Sequence, residues 1–231
     1  MSVDRELESR FSKLGGTFVT PAVVLHDRLR SIRGFVCDWD GVFNQGAKGA
    51  GAASGYSEAD SMGTNLLRYA LWRAHGAMPV TALITGVDNP SAREFAEREQ
   101  FQAVYTGTPI KSVAIEAFCK AQSVSTEQLL CIFDDVNDLG MAFGCGIRVL
   151  VNRDASPLLR DYVVRQDLCD YVTGHSSDRY AVREVCELML GLLGTFDDVV
   201  TSRVAWDDDY SRYFSERQAI RTEHVHSRAK P

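Results

Sequence analysis

One stretch, FVCDWDGVF at residues 35–43, constrains the fold of this 231-residue chain more than any other. Gly34-Phe35-Val36-Cys37 is continuously apolar, the pattern of a strand buried on both faces of a parallel sheet. It ends in two carboxylates, Asp38 and Asp40, and Gly41 then lets the chain turn sharply. Side chains alternate along an extended chain, so Asp38 and Asp40 point one way and Trp39 the other. Two like charges at a strand mouth repel. The pair is tolerated where a cation lies between them, or where one carboxyl stays protonated. Asp and Gly also make ordinary turns, so this motif counts only in company.

The company is there. Three more polar clusters close apolar runs: LITG at 83–86, Lys111 within TPIKSVAI, and FDDVND at 133–138. In an open α/β sheet, ligands bind beyond the carboxyl ends of the strands. Between the clusters, apolar periodicity predicts strands at 79–84, 103–105, 129–133 and 147–151, with a short edge strand at 171–172. It predicts helices at 2–13, 61–74, 91–100, 109–122, 136–143 and 179–193, with another beginning at Ser156-Pro157. Pro109 would sit in a first helical turn, and residues 125–128 read as a capping box. Alternating strands and helices imply right-handed βαβ units, hence an α/β fold: a three-layer, Rossmann-like parallel sheet with helices on both faces.

The order Asp-x-Asp, Thr, Lys, Asp-Asp-x-x-Asp resembles the four motifs of the haloacid dehalogenase (HAD) superfamily of phosphatases. The likeness covers roughly residues 33–192. Within the superfamily it is similar to the branch of 3-deoxy-D-manno-octulosonate 8-phosphate phosphatase, through RSIRGFVCDWDGVF, ALITG, VYTGTPIK and DYVTGHSSDRYAVREVCELML. The resemblance implies a HAD-like domain at 33–193 without a large cap, after an N-terminal extension at 1–32. A C-terminal extension at 194–231 follows, expected to carry a helix near 210–221 and a loose end holding His224 and His226. Residues 41–60, a β-hairpin flap in the relatives, are here rich in Gly and Ala and poor in strand formers.

The same resemblance assigns roles. Asp38 would be the nucleophile and Asp40 the acid/base, with Thr85 and Lys111 completing the catalytic set. Thr85, Gly86, Lys111 and Arg179 would contact substrate. Asp38, Asp40, Asp134, Asp135 and Asp138 would serve a metal, and an all-oxygen site that also meets phosphate suits Mg²⁺. The implied partner is a small phosphorylated metabolite, an acidic sugar phosphate. A homo-oligomer is implied as well, a tetramer as in the resembled group. Departures are Phe133, where the superfamily commonly has Gly, and Val87-Asp88-Asn89, where near relatives carry Arg. They keep two alternatives open: a catalytically weak binding or scaffold protein, and a phosphotransferase of the same fold.

Composition excludes other classes. Hydrophobic residues are 45% and charged residues 24%, as in ordinary globular domains rather than disordered chains. A net charge of −6 offers no basic stripe for nucleic acid. No apolar run has the length of a membrane span, and residues 1–13 are too polar for a signal peptide, so a cytoplasmic protein is expected. None of the six cysteines forms a CxxC pair; they read as small buried hydrophobes.

Overall fold

The computed structural model describes residues 3–49 and 54–226. Among the described residues there are eight strands: β1 (Thr17–Phe18), β2 (Gly34–Cys37), β3 (Val80–Ile84), β4 (Ala103–Thr106), β5 (Leu129–Phe133), β6 (Ile147–Leu150), β7 (Tyr171–Val172) and β8 (Glu223–His226). They form one sheet in the order β1-β7-β6-β5-β2-β3-β4-β8. All neighbours are parallel except β1 and β7. From β2 the chain builds outward through β3 and β4, then returns to the other side of β2 for β5, β6 and β7. The direction of winding reverses beside β2, which is where such sheets open a binding crevice.

Strand alternation explains the three layers. Phe35 and Cys37 of β2 join Leu83, Val104, Leu130, Ile132 and Val149 in one core. That face is covered by α1 (Val3–Lys13), α2 (Ala22–Leu29), α3 (Glu58–His75), α4 (Pro90–Arg98) and α8 (Ala181–Leu192). Val36 points to the opposite core with Ala82, Ile84, Cys131 and Phe133. The helices there are α5 (Lys111–Gln122), α6 (Leu139–Ala142) and α7 (Pro157–Arg165). Gly34 is required by close approach, because a Cβ there would run into the Val80 carbonyl of the neighbouring strand. All six cysteines are free and buried.

A third apolar cluster lies on the outer side of α3. Tyr69 and Trp72 pack there against Tyr210 and Tyr213 of α10 (Asp208–Gln218) and Val199 of α9 (Phe196–Ala205). Each buried ring removes roughly 150–250 Å² from water, a gross gain of about 4–6 kcal/mol at about 25 cal/mol per Å². Exposed ion pairs such as Arg212–Asp209 contribute about 0–1 kcal/mol. Ring packing is joined by the hydrogen bond from Trp72 Nε1 to Glu216 at 2.7 Å and by the buried Arg217, 3.8 Å from Glu99.

Several expectations are corrected. The strand at 171–172 is not an edge, since β1 covers it. The N-terminal extension supplies both that strand and α2, and the C-terminal extension carries α9 ahead of the expected helix. Residues 223–226 are not loose: β8 pairs in parallel with β4, His224 Nε2 lies 2.9 Å from Glu97 Oε1, and the His226 ring packs on Gly107. Residues 227–231, and Ser2 at the other end, lie outside the described residues. Pro109 precedes its helix, which begins at Lys111 after Ile110. The helix expected from 179 is broken: Ser177–Arg179 is a 3-10 turn, and Tyr180, in the left-handed region at φ 66°, separates it from α8.

Candidate active site

Register places the chemistry. Cys37 is level with Leu83 of β3 and Ile132 of β5. The residues just past these strand ends, Asp38, Thr85 and Asp134, therefore emerge side by side at the mouth of the crevice. Trp39 turns away into the core, stacked on Phe43 with ring centroids 5.0 Å apart. This is the alternation the sequence predicts. Gly41 has a φ of 92°, which turns the chain back under the site.

Lys111 enters from the first turn of α5 and is almost wholly buried. Its Nζ lies 2.5 Å from Asp38 Oδ1 and 2.5 Å from Asp138 Oδ1. Burial works to lower its pKa, but the two carboxylates prevail and raise it. The amine is thus a fixed cation. Asp38 shows the opposite balance. Burial pushes its carboxyl up to about 6, although Lys111 opposes the shift.

The Asp-Asp-x-x-Asp segment divides its three carboxylates by function. Asp138 Oδ2 accepts the backbone N–H groups of Asp134 (3.2 Å) and Asp135 (3.1 Å), while its Oδ1 holds Lys111. Asp135 caps the turn after β5 through Val136 N at 2.7 Å, and its Oδ2 lies 3.4 Å from Arg153 Nη1. Asp134 is buried against Asp38 and Asp138. Burial first, then those two charges, push its carboxyl up to about 8. Its Oδ2 accepts from Arg153, whereas its Oδ1 is buried without a hydrogen-bond partner.

Asp38, Asp134 and Asp138 each offer a carboxylate oxygen, all within 4.8 Å of one another. Three buried carboxylates this close, one with an unsatisfied oxygen, fit a hard divalent cation such as Mg²⁺. Asp135 and Asp40 are not part of this cluster. Asp40 lines the same cavity, where its Oδ1 accepts from Ser54 Oγ at 3.0 Å and its Oδ2 meets Lys48 Nζ.

The cavity enclosed by these groups has a volume of about 410 Å³. Asp38, Asp40, Thr85, Gly86, Lys111, Asp134, Asp135 and Asp138 line it, so eight of the nine sequence-predicted site residues come together. Arg179 is not among the lining residues; it lies exposed at the break before α8. Arg183, in the same segment, pairs with Glu187 at 2.7 Å.

The sequence reading missed four contributors: Lys48, Ser54, Asn89 and Arg153. Asn89 caps α4 and donates to Ser54 Oγ at 2.7 Å. Ser54 in turn accepts from Trp39 Nε1 at 2.9 Å, which ties the segment after β2 to the core. Part of the region expected as a flap, residues 50–53, lies outside the described residues. The rest shows a single β-bridge, Asp40 with Asn44, and no strand. Arg153 follows the end of β6, so the strand-end rule that found the other residues was able to find it as well.

No protein-family model matches the chain. Over 117 residues it is 31% identical to 3-deoxy-D-manno-octulosonate 8-phosphate phosphatase KdsC of Escherichia coli K12. That match covers 51% of this chain and 58% of the relative, so it spans little more than half the length of the curated relatives. Among solved structures, the cobalt-bound deoxy-D-mannose-octulosonate 8-phosphate phosphatase of Haemophilus influenzae aligns with a TM-score of 0.61 and 26% identity. It covers 74% of this chain and 95% of that one. The Moraxella catarrhalis enzyme in complex with magnesium, phosphate and KDO aligns with a TM-score of 0.64, over 77% and 97%. At 21% identity it speaks for the fold alone.

In sequence and in fold the chain is similar to phosphatases of the haloacid dehalogenase superfamily. Its likeness runs to the KdsC-like branch. As in capless members, no helix or strand stands between β2 and α3 among the described residues. The superfamily departure at Phe133 is a packing change, since that ring is fully buried under the sheet with Val36 and Met141 rather than in the crevice.

Proposed function

We propose that this chain is a Mg²⁺-dependent phosphoric monoester hydrolase acting on a small acidic sugar phosphate. The observation that carries the reading is Lys111, buried between Asp38 and Asp138 beside the partnerless Oδ1 of Asp134. A carboxylate nucleophile, a fixed cation and a hard-metal site converge at one sheet crevice. Phosphoryl transfer needs that set, because its catalysis is chiefly positioning and charge stabilisation.

In this reading an Asp38 carboxylate oxygen attacks phosphorus and the bond to the sugar oxygen breaks. Asp40 gives its proton to the departing alkoxide. Asp40 then takes a proton from water, whose oxygen attacks the aspartyl-phosphate and releases phosphate and free Asp38. Ser54 and Lys48 fix the Asp40 carboxyl for both transfers. The Thr85 hydroxyl and the Gly86 N–H are assigned to the phosphoryl oxygens, with Lys111 neutralising charge beside them. Bound Mg²⁺, held by Asp38 and Asp134, would supply further charge neutralisation. That the Haemophilus relative has a cobalt-bound form supports a metal ion for this chain.

The cavity volume suits a sugar phosphate rather than a macromolecule. Among the described residues no helix is long and apolar enough to cross a membrane. Arg179 enters the proposal only through a homo-oligomer, as a contact to the site of a neighbouring copy.

The deciding experiment is hydrolysis of an aryl phosphate with Mg²⁺, with EDTA, and with the Asp38→Asn variant. Turnover is expected with Mg²⁺ and lost with EDTA. The variant should lose on the order of 10³-fold or more in kcat, as expected for a nucleophile. Equal turnover in the variant would overturn the assignment of Asp38, and a phosphosugar panel then ranks substrates.

A further inference from the structure

We infer that Arg153 is a positioning residue for the cation site, holding Asp134 Oδ2 so that Asp134 Oδ1 is presented to the ion. The inference rests on the metal reading proposed above. It concerns a residue outside the motifs that suggested that reading.

Arg153 follows β6, one strand further from β2 than Asp134. Its guanidinium reaches back with Nη2 on Asp134 Oδ2 and Nη1 3.4 Å from Asp135 Oδ2. A planar fork that spans two consecutive carboxylates fixes both in rotation, which a flexible point charge does not. Asp135 is thereby kept beside its own turn and away from the cluster.

The two oxygens of Asp134 end in contrasting states. Oδ2 is enclosed: the Gly41 backbone packs so closely that a Cβ there would overlap both Oδ2 and Arg153 Nη2. Oδ1 is buried and makes no hydrogen bond. A buried carboxylate oxygen without a partner is costly unless it meets a cation, so Oδ1 is the atom shaped for one. With Oδ2 held and walled in, the carboxylate has a single orientation to offer. Outer contacts of this kind commonly set metal affinity.

The rival role for Arg153 is occupant rather than support, with its guanidinium and the ion competing for Asp134. The two roles differ in sign. Removing a support weakens ion binding, and removing a competitor tightens it. The partnerless Oδ1 favours support, because the ion then has an oxygen that Arg153 does not use.

The test is Mn²⁺ affinity of the full chain, followed by the paramagnetic resonance signal of free Mn²⁺ and requiring no turnover. Arg153→Met should bind Mn²⁺ about 10–100-fold more weakly than wild type. Arg153→Lys should recover part of that loss by restoring the charge without the fork. Arg153 is partly exposed but Asp134 is not, so Arg153→Met should also lower the melting temperature, and the affinities are compared below the melting range of each variant. Unchanged or tighter binding in Arg153→Met overturns the inference while leaving the metal reading intact. Absence of Mn²⁺ binding in wild type overturns the metal reading and the inference together.

Discussion

Lys111 Nζ lies 2.5 Å from Asp38 Oδ1, and both side chains are buried. A third group, Asp138, holds the same amine from the other side. Without the amine, two carboxylates would face each other out of water. Breaking a buried pair by removing one partner costs about 3–5 kcal/mol. Lys111→Met should therefore lower the melting temperature of the chain by roughly 6–20 °C, at about 2–4 °C per kcal/mol for a chain of this size. Calorimetry would check it. A shift within experimental error would mean that the lysine contributes nothing to the fold.

The same carboxylates make stability depend on pH and on metal in a defined direction. Burial, ahead of the neighbouring charges, pushes the Asp134 carboxyl up to about 8, and burial pushes Asp38 up to about 6. Their unfolded values are near 3.8. Between pH about 4 and 8 the folded chain therefore binds more protons than the unfolded one, and these groups cost stability as pH rises. A divalent cation binds the ionised carboxylates, so its stabilising effect should grow over the same window. In EDTA, wild type should lose melting temperature relative to Asp134→Asn between pH 5 and pH 8. Added Mg²⁺ should raise the wild-type value more at pH 8 than at pH 5. An equal Mg²⁺ shift in Asp134→Asn would count against the site.

Ser54 links three groups, accepting from Trp39 Nε1 and Asn89 Nδ2 and donating to Asp40 Oδ1. Ser54→Ala leaves the indole N–H without a partner, a loss of about 1–3 kcal/mol. It also frees Asp40 to rotate. We expect a modest fall in melting temperature together with a fall in kcat of about 10-fold or more, within the range that general acid–base catalysis contributes. A fall in stability with unchanged kcat would show that Asp40 is oriented without Ser54.

The parallel sheet and the site were legible from the same feature, apolar runs ending in polar residues. Asp38, Thr85 and Asp134 were found because each directly follows a strand whose burial is written in continuous hydrophobicity. Other contributors lacked that mark. Lys48 and Ser54 lie in a Gly- and Ala-rich stretch, where no periodicity indicates which side chain turns inward. β1 has two residues, too few for any period to register, so the strand expected at 171–172 read as an edge. β8, with the sequence Glu-His-Val-His, carries a polar edge pattern that reads as coil until a neighbouring strand is known. The break at Tyr180 depends on one left-handed residue that is not glycine, which sequence rules do not anticipate.

The last prediction concerns the C-terminal helices, which meet the domain through a cluster of buried rings. Tyr213 is fully buried between Tyr69, Trp72 and Tyr210, and its hydroxyl donates to the Asn65 carbonyl at 3.3 Å. Asn65 lies on α3, whose opposite side packs against the core beside β2. Tyr213→Ala opens a cavity at this layer and should cost about 3–5 kcal/mol, the range for deleting a buried ring. Tyr213→Phe keeps the ring and loses only the hydroxyl, so it should cost about 1 kcal/mol. Denaturant unfolding of both variants separates packing from hydrogen bonding. A small effect of Tyr213→Ala, with α9 and α10 becoming sensitive to protease, would mean that these helices dock on the domain without stabilising it.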